Sequence, residues 1–332
     1  MTIHDALEKI AKRASLSKDE ARAVFLRVLR GEVSPAQLGA LLMGLRTKGE
    51  TGEELAGAVE AVRASAVRVE IGDCPAIDTC GTGGDGLAMV NISTAAAFVV
   101  AGAGVPVAKH GNRSASGRVG SADVLAALGV PVERPAGEVA AAIRNKNFGF
   151  MFAPAFHPAM KHAAPVRKEL GVRTIFNLIG PLANPALPPF QLVGVPEERF
   201  VHLVAHAFAS LGVKRAMVVH GAGGADEATL EGPVIAAVVD KGVVNHEVVD
   251  PASLGFQKAP NSSLAGGDAP TNAARIVSVL GGEPGPVADA VILNAGLAIA
   301  VVRHCAICEG VDAARESVKS GRAAKALEDA RC

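Results

Sequence analysis

Between Asp78 and Thr94 the chain reads D-T-C-G-T-G-G-D-G-L-A-M-V-N-I-S-T, with glycine at Gly81, Gly83, Gly84 and Gly86. A short apolar run, 75–77, precedes it, and an apolar helical pattern begins near Ser93. The order strand, glycine-rich loop, helix constrains the fold strongly. It requires a backbone free to take positive φ, followed by a helix N-terminus with unpaired N–H groups and partial positive charge. Such a place suits phosphate. No G-K-[ST] comes after it, so the run is not a Walker A loop, and its spacing is not G-x-G-x-x-G. Alone, it reads as a phosphate cradle or as a simple chain reversal.

From Pro75 onward the pattern fits an α/β sheet. Short apolar runs at Val105–Ala108, Phe148–Phe152, Gln191–Val195, Ala216–Val219 and Val234–Val239 alternate with helical patterns. Such alternation predicts a mostly parallel sheet. Asp240-Lys-Gly242 before 243–249 predicts a hairpin, hence a mixed sheet.

Residues 1 to about 70 read as helices only. Ile3, Leu7 and Ile10 mark one face; Ser17-x-x-Glu20 and Thr51-x-x-Glu54 are capping signals. Ser34-Pro35 begins a helix whose Leu38, Leu41, Leu42 and Leu45 share a face. The segment from about 158 to 184 is helical again and is expected to rejoin these helices, leaving 71–332, less that segment, as the α/β domain. A last helix, about 311–330, is expected as a solvated cover.

Lys+Arg and Asp+Glu each number 33, a formal net charge of zero. That argues against non-specific nucleic-acid binding, which needs a basic surface. No stretch reaches the roughly 18 uninterrupted apolar residues of a membrane span, and the N-terminus lacks a secretory h-region. The cysteines, Cys74, Cys80, Cys305, Cys308 and Cys332, follow no disulfide framework and suggest reduced thiols in a cytoplasm. Cys305 and Cys308 are expected as buried structural thiols.

Three further stretches carry chemistry. Lys109–Ser121 reads K-H-G-N-R-S-A-S-G-R-V-G-S directly after an expected strand, where open α/β sheets bind ligands. Lys109, Arg113 and Arg118, with Asn112, Ser114, Ser116 and Ser121, suit phosphate. His110 is a general base or a neutral imidazole facing substrate. Asp226-Glu227, after His220-Gly-Ala-Gly-Gly-Ala, suits magnesium or is a solvated acidic turn. In the segment 161–185, Arg167 or Arg173 is placed to hold a carboxylate. His157 with His162, and His202 with His206, invite a metal reading, though His202 and His206 sit in an amphipathic helix without the glutamate of H-E-x-x-H.

Taken together, G-T-G-G-D-G with N-I-S-T, K-H-G-N-R-S, G-S-A-D-V-L, the run from His157 to Pro185, the Asp226-Glu227 turn, G-G-D-A-P-T-N-A-A and the Asn294-Ala-Gly helix resemble the anthranilate phosphoribosyltransferase family over nearly the whole chain. The resemblance implies a small N-terminal helical domain and a larger α/β domain of nucleoside-phosphorylase-like kind. It implies a cytoplasmic homodimer, formed through the helical domain, that joins anthranilate to phosphoribosyl pyrophosphate (PRPP) in tryptophan biosynthesis with magnesium. Gly81, Gly83, Gly84 and Asp85 would contact PRPP. Asn91, Ser93 and Thr94 would hold diphosphate and one magnesium, Lys109 and Ser121 the phosphorylated sugar, and Asp226 and Glu227 a second magnesium. His110, Asn112, Arg167 and Gly180 would line the anthranilate route. Rival readings are a same-fold nucleoside phosphorylase, a phosphoribosyltransferase with another acceptor, or a non-catalytic nucleic-acid-binding relative. Gly117 and Arg118 depart from the family's usual serine and lysine, and 228–233 from its hydroxyl-rich run.

Overall fold

The structure is a computed structural model that describes residues 1–113 and 119–332. Ser114, Ser116, Gly117 and Arg118 of the cationic stretch lie outside the described residues. Helices α1 (Ile3–Ala11), α2 (Lys18–Leu29), α3 (Pro35–Lys48) and α4 (Gly52–Ala64) open the chain. Ser17, Ser34 and Thr51 each accept the N–H three residues on, and Glu20, Gln37 and Glu54 return the bond. Leu38, Leu41, Leu42 and Leu45 are all buried. Glu54 does more than cap: wholly buried, it accepts the Leu16 N–H at 2.9 Å and the Lys48 ammonium at 3.0 Å.

The strands are β1 (Ile77–Gly81), β2 (Val107–Gly111), β3 (Phe148–Phe152), β4 (Phe190–Gly194), β5 (Arg215–His220), β6 (Val234–Asp240) and β7 (Val243–Val249). They form one sheet in the order β3-β2-β1-β4-β5-β6-β7. β1 to β5 pair in parallel, and β6 and β7 are antiparallel. The expected hairpin turns at Lys241 and Gly242, both at positive φ (+48° and +82°), the geometry of a type I′ turn. β1 and β2 begin later than the apolar runs suggest and continue through polar residues. Strand position is possible there because Asp78 and Lys109 find buried partners, described below.

Between and after the strands come α5 (Ile92–Gly102), α6 (Ser121–Ala127), α7 (Ala136–Lys146), α8 (Ala153–Phe156), α9 (Ala164–Leu170), α10 (Phe176–Leu182), α11 (Glu198–Ser210), α12 (Ala269–Leu280), α13 (Pro286–Arg303), α14 (Ile307–Lys319) and α15 (Arg322–Arg331). A 3₁₀ turn, Pro158–His162, leads into α9. Alternation along the strands feeds two large cores, and a smaller one gathers Ala108 and Met151 with Ile143 and Phe156. Leu192 and Met217 face one core with Phe98 and α13; Val193 and Val218 face the other with Phe25, Leu41 and α11. The second core also takes Val166, Phe176 and Leu182, and the Phe25 and Phe176 rings meet edge-on at 5.7 Å. α13 has the length and composition of a membrane span, but 67% of it is buried inside the fold.

Two expectations change. The C-terminal stretch is two helices broken at Gly321 (φ +76°), not one, and it does more than cover: Val311, Ala314, Ala323 and Leu327 are buried, and Ser317 donates to the Val99 carbonyl at 2.8 Å. Cys305 is half-buried in the turn after α13 and Cys308 is exposed in the first turn of α14, so neither lies in the apolar body of α13. His202 and His206 lie on the exposed side of α11.

Candidate active site

The chain leaves β1 toward β2 and β3 on one side and returns to β4 on the other. The carboxyl ends of β1 and β4 therefore flank a topological switch point, where α/β sheets bind ligands. Gly81 and Gly194 stand opposite each other there. Both positions exclude a side chain. A Cβ at Gly194 would fall 1.7 Å from the Asp226 carbonyl oxygen, and one at Gly81 2.4 Å from Asp226 Oδ2. The acidic turn thus rests directly on bare backbone. Beyond Gly81 the loop takes positive φ at Gly83 (+70°), Gly84 (+82°) and Gly86 (+86°).

The turn and the loop are joined. The Gly83 N–H donates to Asp226 Oδ2 at 2.6 Å, and the Ser93 N–H, in the first turn of α5, donates to Glu227 Oε1 at 3.1 Å. Asp226 is buried, so a solvated acidic turn is excluded. Burial, then Glu227 and Asp85, push its carboxyl well above the usual range. Burial likewise raises Glu227 to about 7, against the pull of Lys109. Crowded hard-oxygen donors that resist joint ionisation are what a divalent cation relieves. Among the described residues no cluster of His, Cys, Asp or Glu could hold a metal alone. The donor set therefore fits magnesium, which takes few protein carboxylates and completes its shell with water and substrate oxygens.

At the N-terminus of α5, Asn91 makes no helix cap. Its Nδ2 donates to the Val119 carbonyl at 2.9 Å and its Oδ1 accepts from Asn272 at 3.1 Å. Thr94 is buried with an unpartnered hydroxyl.

Lys109 and His110 lie on β2, not in the loop after it. Lys109 is buried and donates to the Thr79 carbonyl at 2.6 Å. Asp78, beside it, accepts the His110 N–H at 3.2 Å and the Asn184 amide at 2.8 Å; Asn184 also donates to the Ala108 carbonyl at 2.7 Å. Burial raises Asp78 to about 6, with Lys109 opposing. Ser121 starts α6 against Gly111, where a Cβ would fall 2.0 Å from its hydroxyl. Arg113 pairs with Asp123 at 3.0 Å.

A cavity of about 560 Å³ opens beside the loop. His110, Asn112, Arg167 and Gly180 all line it, together with Gly81 and Thr82. The Arg167 guanidinium lies 5.1 Å from the Phe176 ring centre. His157 also lines the cavity, separated in role from exposed His162. The His110 and His157 rings stand 5.0 Å apart at 64°. Burial first, then His157, lowers His110 to about 3, and burial lowers His157 to about 4. Both are neutral near pH 7, and His110 Nε2 and both His157 nitrogens lack partners. Of the two arginines left open by the sequence, Arg167 reaches the cavity and Arg173 the glycine loop. Asp78, Thr82 and Asn184 belong to the site's frame; they lie inside stretches that the sequence singles out, but no role attached to them there.

Residues 73–324 match the a/b domain of a glycosyl transferase family, and residues 4–66 its helical bundle domain. The fold is that of this class of transferase. The chain is 49% identical over 323 residues to the anthranilate phosphoribosyltransferase of Bradyrhizobium sp. (strain BTAi1), covering 96% of this chain and 95% of the relative. It is similar to the crystal structure of the Thermus thermophilus enzyme of that name at TM-score 0.92 and 44% identity, covering 98% of each chain. The Saccharomyces cerevisiae enzyme in complex with PRPP and Mg aligns at TM-score 0.89 and 25% identity, over 98% of this chain and 96% of that one. The chain belongs to the anthranilate phosphoribosyltransferase family.

Proposed function

We propose that the chain transfers the 5-phosphoribosyl group of PRPP to the amine of anthranilate, giving N-(5-phosphoribosyl)anthranilate and pyrophosphate in tryptophan biosynthesis. One observation carries this reading. The cavity that holds Arg167 shares Gly81 and Thr82 with the glycine loop, so an aromatic acid and a diphosphate would meet at one wall.

In this reading Gly81, Gly83, Gly84 and Asp85 hold the diphosphate and ribose, with Asn91, Ser93 and Thr94. Lys109 and Ser121 take the sugar phosphate. Magnesium would sit on Asp226 and Glu227, with Ser93 serving a further ion, and supplies charge neutralisation to the departing diphosphate. Backbone N–H groups of the loop and α5 stabilise the same charge. Arg167 pairs with the acceptor carboxylate. His110, with Asn112 and Gly180 beside it, orients the amine. Its low basicity suits a hydrogen-bonding role rather than prior proton removal. Holding amine and anomeric carbon together supplies proximity.

In this reading the helical domain, 1–70 with 158–184, brings Val62 and Arg167 to a wall that the α/β domain shares through Gly81 and Thr82. A homodimer formed through the helical domain is part of this reading, and the free cysteines support a cytoplasmic setting. The test is pyrophosphate release. It is expected only with PRPP, anthranilate and magnesium together; equal release without anthranilate would contradict the reading.

A further inference from the structure

Arg173 differs from the other cations of its segment. Arg167 lines the acceptor cavity, and Arg173 does not. Its Nη1 donates instead to the Gly83 carbonyl at 2.8 Å, 90 positions away in sequence. Its guanidinium fills the space where a Gly84 side chain would project: a Cβ there would lie 1.8 Å from Nη1, at a φ of +82°. The Arg173 backbone carbonyl in turn accepts a hydrogen bond from Arg46 of α3. One residue therefore ties α3, the approach to α10 and the glycine loop. Across the loop the Gly83 N–H is held by Asp226, so Gly83 is anchored through both its donor and its acceptor. A second nitrogen of Arg173, Nη2, is buried without a partner.

We propose that Arg173 is a positioning residue for the diphosphate-binding loop, an inference that rests on the reading of that loop as the PRPP site. A loop rich in glycine loses much conformational freedom on ordering. A ligand that must order it binds more weakly by that amount. Arg173 holds the loop beforehand through a charge-assisted hydrogen bond. It does so from the segment that carries Arg167 and Phe176, so it also sets the spacing between donor and acceptor substrates.

The experiment compares the wild-type chain with Arg173→Ala and Arg173→Lys. In the free protein, amide exchange across 82–87 speeds up in Arg173→Ala while β1 and α5 keep their protection. In turnover, the KM for PRPP rises about tenfold and that for anthranilate stays within about twofold. Arg173→Lys restores part of the loss, since lysine supplies a charged donor without the fork. Unchanged loop exchange in Arg173→Ala overturns the proposal. So does an equal rise in both KM values with a lowered melting temperature, which marks a general structural role. The exchange arm needs no substrate: a wild-type chain that turns nothing over would defeat the functional reading, and exchange would still decide whether Arg173 tethers the loop.

Discussion

Gly83 and Asp226 lie 143 positions apart and are joined by one hydrogen bond, the glycine N–H donating to the carboxylate at 2.6 Å. That bond fastens the glycine loop to the acidic turn, so the proposed phosphate cradle and the proposed cation-binding carboxylates form one unit. Asp226→Ala removes the loop anchor and, on the proposed function, a cation ligand. The kcat/KM is expected to fall on the order of 10²-fold or more. Full activity in this variant, measured by pyrophosphate release, would disconnect the turn from the chemistry.

Gly194 tests the same unit through the backbone. Its Cβ would fall 1.7 Å from the Asp226 carbonyl oxygen, which cannot rotate away as a side chain would. Gly194→Ala is expected to cost roughly 1–3 kcal/mol of stability in urea unfolding and to weaken PRPP binding together with it. A variant of wild-type stability would mean that the acidic turn yields easily.

On the proposed function, Arg167 separates the two substrates. Arg167→Ala is expected to raise the anthranilate KM by about 10- to 100-fold, the loss of a charge-assisted pair, and to leave the PRPP KM little changed. Equal rises in both would remove Arg167 from the acceptor side.

His157 carries a pH signature. Its pKa is lowered from 6.5 to about 4, so the folded state holds it neutral where the unfolded chain takes a proton. The stability this provides is fully present above about pH 6.5 and is lost as pH falls toward 4. Between about pH 7.5 and 5.5 the loss is about 1.4 kcal/mol. Buried carboxyls such as Glu227 act in the opposite direction, so the comparison is wild type minus His157→Asn, in which the carboxyls cancel. Parallel pH profiles for the two chains would show that His157 is not held neutral.

Glu227 carries another. Its carboxyl, raised from 4.5 to about 7, is protonated in part of the free protein near neutrality and must ionise to take a cation. Ionisation is favoured as pH rises through about 7, so stabilisation by added magnesium is expected to grow from pH 6 to pH 8. In Glu227→Gln the stabilisation should be smaller, and the pH dependence that remains is that of Asp226. A wild-type melting shift independent of pH would exclude Glu227 as the titrating ligand.

Local signals made most of the architecture legible. The capping signals at Ser17, Ser34 and Thr51, the turn at Lys241-Gly242 and the apolar strand runs each have a short-range cause, and each recurs in the structure. The site was legible as stretches, not as contacts. Lys109 and His110 looked like loop residues because charge and strand burial conflict in one dimension; Asp78 and Asn184 resolve that conflict only through the fold. The burial of Asp226 depends on Gly81 and Gly194, glycines whose reason is the absence of a side chain against a distant turn. The two helices after α13 read as one because a single glycine, Gly321, supplied the only break.

The central claim is that one wall brings anthranilate to PRPP. Anthranilate fluoresces, and the chain has no Trp or Tyr, so the protein background is low. On mixing the protein with anthranilate, PRPP and magnesium, the fluorescence is expected to decay to a level set by the limiting substrate, and to hold steady when PRPP is left out. A steady signal in the complete mixture at high protein concentration would contradict the account.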